Sequence, residues 1–170
     1  MIRVFREWFL DQLAMYAAYH TDRRNQLTHY VGVPIIIFSL VAALVQVPVG
    51  PSVSVAGVLL TVLLLAYLAA VPAVGIVALL AFLPLYAAAL YIAEADLAVR
   101  WGVIAASFVG GWAIQFIGHV FEGRKPAFLT NLMQVFMAPA FLVAEAMFAA
   151  GLQRHLSENL HARSRKYAKA

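Results

Sequence analysis

The sequence predicts an all-α fold: a polytopic membrane helix bundle of about four full spans. An interfacial helix precedes the spans, and a re-entrant or partly spanning helix follows them. Three observations carry this. Of the 170 residues, 64% are hydrophobic and 12% are charged, with mean hydropathy +0.86; soluble domains average roughly 45–50% apolar and about 25% charged. The apolar residues fall in runs near the 17–25 or so residues that a bilayer requires. Short breaks of proline, glycine or polar residues separate those runs. Nothing remains for a separate soluble module, so residues 1–170 read as one membrane-embedded domain.

Residues 4–20 read as an amphipathic helix, within an interfacial segment 1–24. Phe5, Trp8, Phe9, Gln12, Leu13, Tyr16 and His20 recur at helical spacing, while Arg6, Glu7 and Asp11 lie off that stripe. Such a helix lies in the membrane interface. Asp22 or Asn25 is placed to cap the next helix. Four runs follow, at 30–48, 53–70, 72–92 and 101–118. They are separated by the Pro48–Gly50–Pro51 break, the tight Val71–Pro72 joint and the polar Glu94–Ala95–Asp96 segment. A fifth apolar stretch, 129–150, holds Asn131, Gln134, Pro139 and Glu145 and is a poorer spanning candidate. Pro139 interrupts its backbone hydrogen bonding, and Glu145 must face protein rather than lipid. The tail, 154–170, is basic.

Lysine and arginine set the orientation. Arg3, Arg6, Arg23 and Arg24 lie before the first span, and Arg124 and Lys125 follow the fourth. Arg154, Arg163, Arg165, Lys166 and Lys169 lie in the tail, and the first two connecting loops carry none. Four spans with both termini cytosolic fit this pattern. A bacterial inner membrane is the expected location. The net charge of +4 is accounted for by span ends, so nucleic acid is not an expected partner. With no cysteine, disulfides, thiolate metal sites and cysteine nucleophiles are excluded. The scattered charges of the first residues leave no apolar core for a cleavable signal peptide.

Three histidines sit at span ends on the predicted cytosolic side: His20, His29 and His119. Each has a polar neighbour at helical spacing, in the pairs Tyr16/His20 and Asn25/His29 and the series Gln115/His119/Glu122. Neutral imidazole is the commonest metal ligand, and its second nitrogen usually needs an acceptor. Asn25, Gln115 or Glu122 could supply it. Glu122 could instead ligate directly, giving two histidines and one carboxylate. Nitrogen and oxygen donors favour iron, manganese or zinc. His161 could join as a fourth ligand if the tail folds back, whereas His155 reads as a surface residue. Arg124 and Lys125, beside Glu122, could bind a substrate carboxylate or lipid phosphate, or serve only as topogenic charge. The structural alternative is that the histidines cap helices and bind nothing.

Two long segments, Tyr16 to Pro34 and Gly111 to Gln134, carry the motifs Tyr16-Ala17-Ala18-Tyr19-His20, Asn25, His29, Gly32-Val33-Pro34 and Gln115-Phe116-Ile117-Gly118-His119, then Phe121-Glu122-Gly123-Arg124-Lys125-Pro126 and Asn131-Leu132. In this order they resemble the membrane family typified by the yeast endoplasmic-reticulum 2-hydroxy fatty acid dioxygenase. The resemblance implies fatty acid alpha-oxidation: Fe(2+) and O2 convert a long-chain 2-hydroxy fatty acid to an acid one carbon shorter. It implies His20, His29 and His119 as iron ligands. Glu122, Asn25 and Gln115 are then candidate catalytic positions, with Tyr16, Arg124 and Lys125 toward the substrate. The expected partners are the 2-hydroxy acid, O2 and membrane lipid. A zinc-dependent lipid hydrolase and a non-enzymatic lipid-binding protein are the rivals.

Overall fold

A computed structural model describes residues 1–167; Lys169, counted in the basic tail, lies outside them. Seven helices run in order: α1 Ile2–Ala18, α2 Arg23–Leu44, α3 Val55–Ala70, α4 Pro72–Ala93, α5 Leu97–Glu122, α6 Gln134–Ala149 and α7 Arg154–Ser164. A short antiparallel hairpin, β1 Pro48–Gly50 and β2 Val53–Ser54, joins α2 to α3. The boundaries follow local chemistry. Asp22 caps α2 by accepting the Arg24 N–H at 2.8 Å, and Ser54 caps α3 by accepting that of Gly57 at 3.2 Å. Pro72 opens α4, where its missing N–H costs nothing. Gly123, at φ +63°, ends α5 in the left-handed region.

Three helices, α2, α4 and α5, are long and apolar enough to cross a membrane. The expected span at 53–70 yields only the 16-residue α3, because the hairpin takes its first residues. At 1.5 Å per residue α3 reaches roughly 24 Å, short of a core about 30 Å thick. The 129–150 stretch likewise forms a 16-residue helix, α6, that starts at Gln134 and contains Pro139. The first helix also differs from expectation. It ends at Ala18, and Tyr19 and His20 close a turn by donating their N–H groups to Tyr16 and Ala17 carbonyls.

Two packing features position the site. First, α2 and α5 lie against each other along small residues. A Cβ on Gly118 would stand 2.0 Å from Thr28 Oγ1, and one on Gly111 would stand 2.7 Å from Ile36 Cγ1. Only glycine permits that approach, the device by which membrane helices pack closely. Second, α1 buries Phe9, Leu13 and Tyr16 in the main core with Tyr67, Val74 and Phe141. Its interfacial face is therefore an interior face of the bundle. Arg163 of α7 then grips α1 through Glu7 and Asp11.

Candidate metal centre

The turn after α1, the first turns of α2 and the last turn of α5 meet at one end of the bundle. They bring His20, His29 and His119 together with potential ligand atoms within 4.8 Å of one another. Their ring centroids lie 4.6, 5.3 and 5.0 Å apart, at interplanar angles of 73°, 66° and 85°. The three rings thus pack edge to face in one cluster. All three are buried.

Hydrogen bonding fixes which nitrogens are available. His20 Nδ1 donates to the Tyr16 carbonyl at 2.7 Å, and His29 Nδ1 donates to the Asn25 carbonyl at 2.8 Å. A carbonyl only accepts, so each Nδ1 carries the proton and each Nε2 keeps its lone pair. His20 Nε2 and His119 Nδ1 are buried with no partner among the described residues. Burial, then the nearby His29 and His119 imidazoles, hold His20 well below its ordinary pKa, in the neutral form that ligates. At His20 and His29 the orienting acceptors are therefore backbone carbonyls four residues upstream, not side chains. The Tyr16 ring stacks on His20 at 3.9 Å and fixes its plane.

Both carboxylate oxygens of Glu122 are taken up by hydrogen bonds to the start of α2 and the turn before it. Its Oε1 accepts the backbone N–H of Thr21 at 3.0 Å and the Thr21 hydroxyl at 2.6 Å. Its Oε2 accepts the Asp22 N–H at 2.8 Å and Asn25 Nδ2 at 3.0 Å. Three of these hydrogen bonds tie the end of α5, which bears His119, to the turn that bears His20, and the fourth ties it to the first turn of α2. Gln26 holds the same turn by donating to the His20 carbonyl at 2.8 Å.

The imidazoles open onto a chamber of about 80 Å³ that Tyr16, Val33, Ile36, Trp112, Gln115 and Gln134 help to line. Ile37, Leu40 and Val135 form its wall and also that of an apolar chamber of about 440 Å³ between α1, α2, α3 and α6. Among the described residues six buried side-chain polar atoms lack a partner, and four belong to residues lining the first chamber: His20 Nε2, His119 Nδ1, Trp112 Nε1 and Gln134 Oε1. Each such atom costs on the order of 1–3 kcal/mol. Their concentration here marks a place built to receive something polar.

A metal fits this donor set. Three neutral imidazoles without thiolate suit iron, manganese or zinc, and three protein ligands leave positions open for a substrate.

The other expected residues fall in different places. Gln115 is buried in the chamber wall. His161 is exposed, its Nδ1 donating to the Ser157 carbonyl at 2.8 Å. With Glu145 it borders a separate cavity of about 210 Å³ on the far side of His20. Arg124 donates to the Ala18 carbonyl at 2.6 Å and lies 4.6 Å over the Tyr19 ring, so it braces the His20 turn. Lys125 is exposed at the surface. Neither borders the imidazole chamber. Sequence reasoning missed Thr21, Trp112, Gly118 and the site role of Gln134. Trp112, Gly118 and Gln134 stand within the motif segment Gly111 to Gln134, and Gly118 also shares a helical face with Gly111, so only Thr21 left no readable signal.

Comparison with known proteins bears on this geometry. Residues 6–150 match the family model described as 2-hydroxy-palmitic acid dioxygenase Mpo1-like. The chain is 35% identical over 154 residues to the 2-hydroxy-palmitic acid dioxygenase MPO1 of Saccharomyces cerevisiae, an alignment covering 88% of this chain and 86% of that protein. No solved structure matches the chain.

Proposed function

We propose that this chain, which belongs to the Mpo1-like family, is a non-haem iron dioxygenase of fatty acid alpha-oxidation. Its substrates on this reading are a long-chain 2-hydroxy fatty acid and O2. The observation that carries it is the convergence of His20, His29 and His119 on a chamber that shares a wall with a larger apolar one. The reaction balances without an outside reductant: RCH(OH)COOH + O2 gives RCOOH + CO2 + H2O. The C1–C2 bond breaks, the substrate loses four electrons, and O2 gains them.

His20, His29 and His119 would hold Fe(2+), which when bound supplies the redox chemistry with O2 and a Lewis acid for the 2-hydroxy carboxylate. The chain's own contribution is positioning. Tyr16 stacking and the two backbone carbonyls orient the imidazoles. Glu122 holds the turn and α5 in register. The walls of Val33, Ile36 and Trp112 exclude water, and the acyl chain passes Ile37, Leu40 and Val135 into the apolar chamber. The distribution of lysine and arginine supports a site on the cytosolic face.

The test is purified protein with Fe(2+), O2 and 2-hydroxypalmitate, with the shortened acid and O2 uptake measured together. Formation of the acid one carbon shorter with matching O2 consumption is expected. No product, with His20→Ala and His119→Ala indistinguishable from wild type, ends the reading. Three histidines also suit catalytic zinc; zinc in the purified protein and no O2 uptake would favour a hydrolase.

A further inference from the structure

The orphaned polar atoms of the imidazole chamber include two that do not belong to histidines, and a chain of hydrogen bonds fixes the orientation of one. The Met133 N–H, which can only donate, gives its proton to Asn131 Oδ1 at 3.0 Å. Asn131 must then turn Nδ2 the other way, and it donates to Gln12 Oε1 at 2.7 Å. Gln12 therefore presents oxygen, which also accepts from Gln134 Nε2 at 3.0 Å. With its nitrogen held by α1, the Gln134 amide cannot flip. Its Oε1 is left buried and unpartnered, on a fully buried side chain that lines the chamber. The second atom is Trp112 Nε1, a donor on the same chamber wall.

We propose that Gln134 Oε1 and Trp112 Nε1–H are the head-group recognition pair of this site, Gln134 accepting from the substrate's 2-hydroxyl and Trp112 donating to its carboxylate. The inference rests on the 2-hydroxy acid reading above and sharpens it. A carboxylate can only accept, so it cannot satisfy Gln134; a hydroxyl can. The pair thus separates a 2-hydroxy acid from the same acid without its hydroxyl. Such discrimination is large when the unhydroxylated ligand leaves a buried acceptor unpaired. Gln134 is the specificity-determining residue, and it is held for that role by Gln12 and Asn131.

The experiment is binding of 2-hydroxypalmitate and of palmitate to the full chain in detergent, before and after chelator treatment, by displacement of a fluorescent fatty acid. Wild type should prefer 2-hydroxypalmitate by about tenfold or more in both states. Gln134→Leu should abolish the preference and leave palmitate affinity within about twofold, which a merely unfolded variant would not. Trp112→Phe should weaken both acids alike. If Gln134→Leu does not fold, Gln134→Met carries the same expectation. A preserved preference in the Gln134 variant, or no preference in the chelated wild type, overturns the assignment. Preference lost on Gln134→Leu without any O2-dependent chain shortening in wild type would keep the recognition pair and end the proposed reaction.

Discussion

Glu122 and Thr21 are 101 positions apart, yet one carboxylate oxygen of Glu122 accepts both the backbone N–H and the hydroxyl of Thr21. That contact sets the distance between His20, one residue before Thr21, and His119, three residues before Glu122. Glu122→Ala should therefore lower metal affinity about tenfold, the lower end for residues that position ligands from outside the coordination sphere. Thr21→Val, which keeps the backbone N–H, should lose less. Titration with Co(2+), followed by its visible absorption, reads both. Unchanged affinity in Glu122→Ala would remove the positioning role.

Metal content divides the histidines. His20→Ala, His29→Ala and His119→Ala should each come off purification with metal reduced to background. His155→Ala and His161→Ala should keep the wild-type stoichiometry, since His155 and His161 lie outside the cluster. Elemental analysis of the five variants decides it, and loss of metal in His161→Ala would add a ligand that the cluster lacks.

Gly118 permits the close approach of α5 to α2. A Cβ there would meet Thr28 Oγ1 at 2.0 Å and Asn25 Oδ1 at 2.6 Å. Gly118→Ala should cost about 1–3 kcal/mol by overpacking. Adding Thr28→Ala should recover part of it by removing the nearer clash. Thermal unfolding in detergent measures the pair, and a neutral Gly118→Ala would show that the helices separate freely.

Leu40 stands where the imidazole chamber meets the apolar one. Leu40→Trp should lower kcat/KM for 2-hydroxypalmitate by ~tenfold or more, because each methylene kept out of the apolar chamber is worth about 0.8 kcal/mol, roughly fourfold. Turnover of a six-carbon 2-hydroxy acid should hardly change. A uniform loss across chain lengths would place the acyl chain elsewhere.

The docking of α7 should depend on acid. Hydrogen bonding from Arg163, then its charge, holds the exposed Glu7 carboxyl below its ordinary value of 4.5. A carboxyl lowered in the folded state stabilises fully above that value and loses its contribution as pH falls through the lowered one. Hydrogen exchange of the α7 amides, corrected for intrinsic rates, should rise on acidification below about pH 4.5. Glu7→Gln should show the raised exchange already at neutral pH, with that pH step gone.

By itself the sequence determined the fold class and singled out the three histidines that cluster. Hydropathy runs marked the apolar helices, and proline, glycine and capping residues marked most of their ends. The histidines stood out because a polar side chain at the end of an apolar run is expensive wherever the chain goes. These are local effects, set within a few residues, so they can be read without a fold. The tertiary structure decided the rest. It shortened α3 by pairing its leading residues in a hairpin, and turned α1 inward by packing its stripe against Tyr67 and Phe141. It also chose the acceptors. Helical spacing gave each histidine a side-chain neighbour, but at His20 and His29 the carbonyl four residues upstream accepts the Nδ1–H hydrogen bond, leaving Glu122 to bind Thr21, Asp22 and Asn25. The facing of the Gln134 amide is set only through Gln12 and Asn131, since its nitrogen turns to the one acceptor within reach. Hydrogen-bond partners are settled by distances across the bundle, and those distances exist only once the helices have packed.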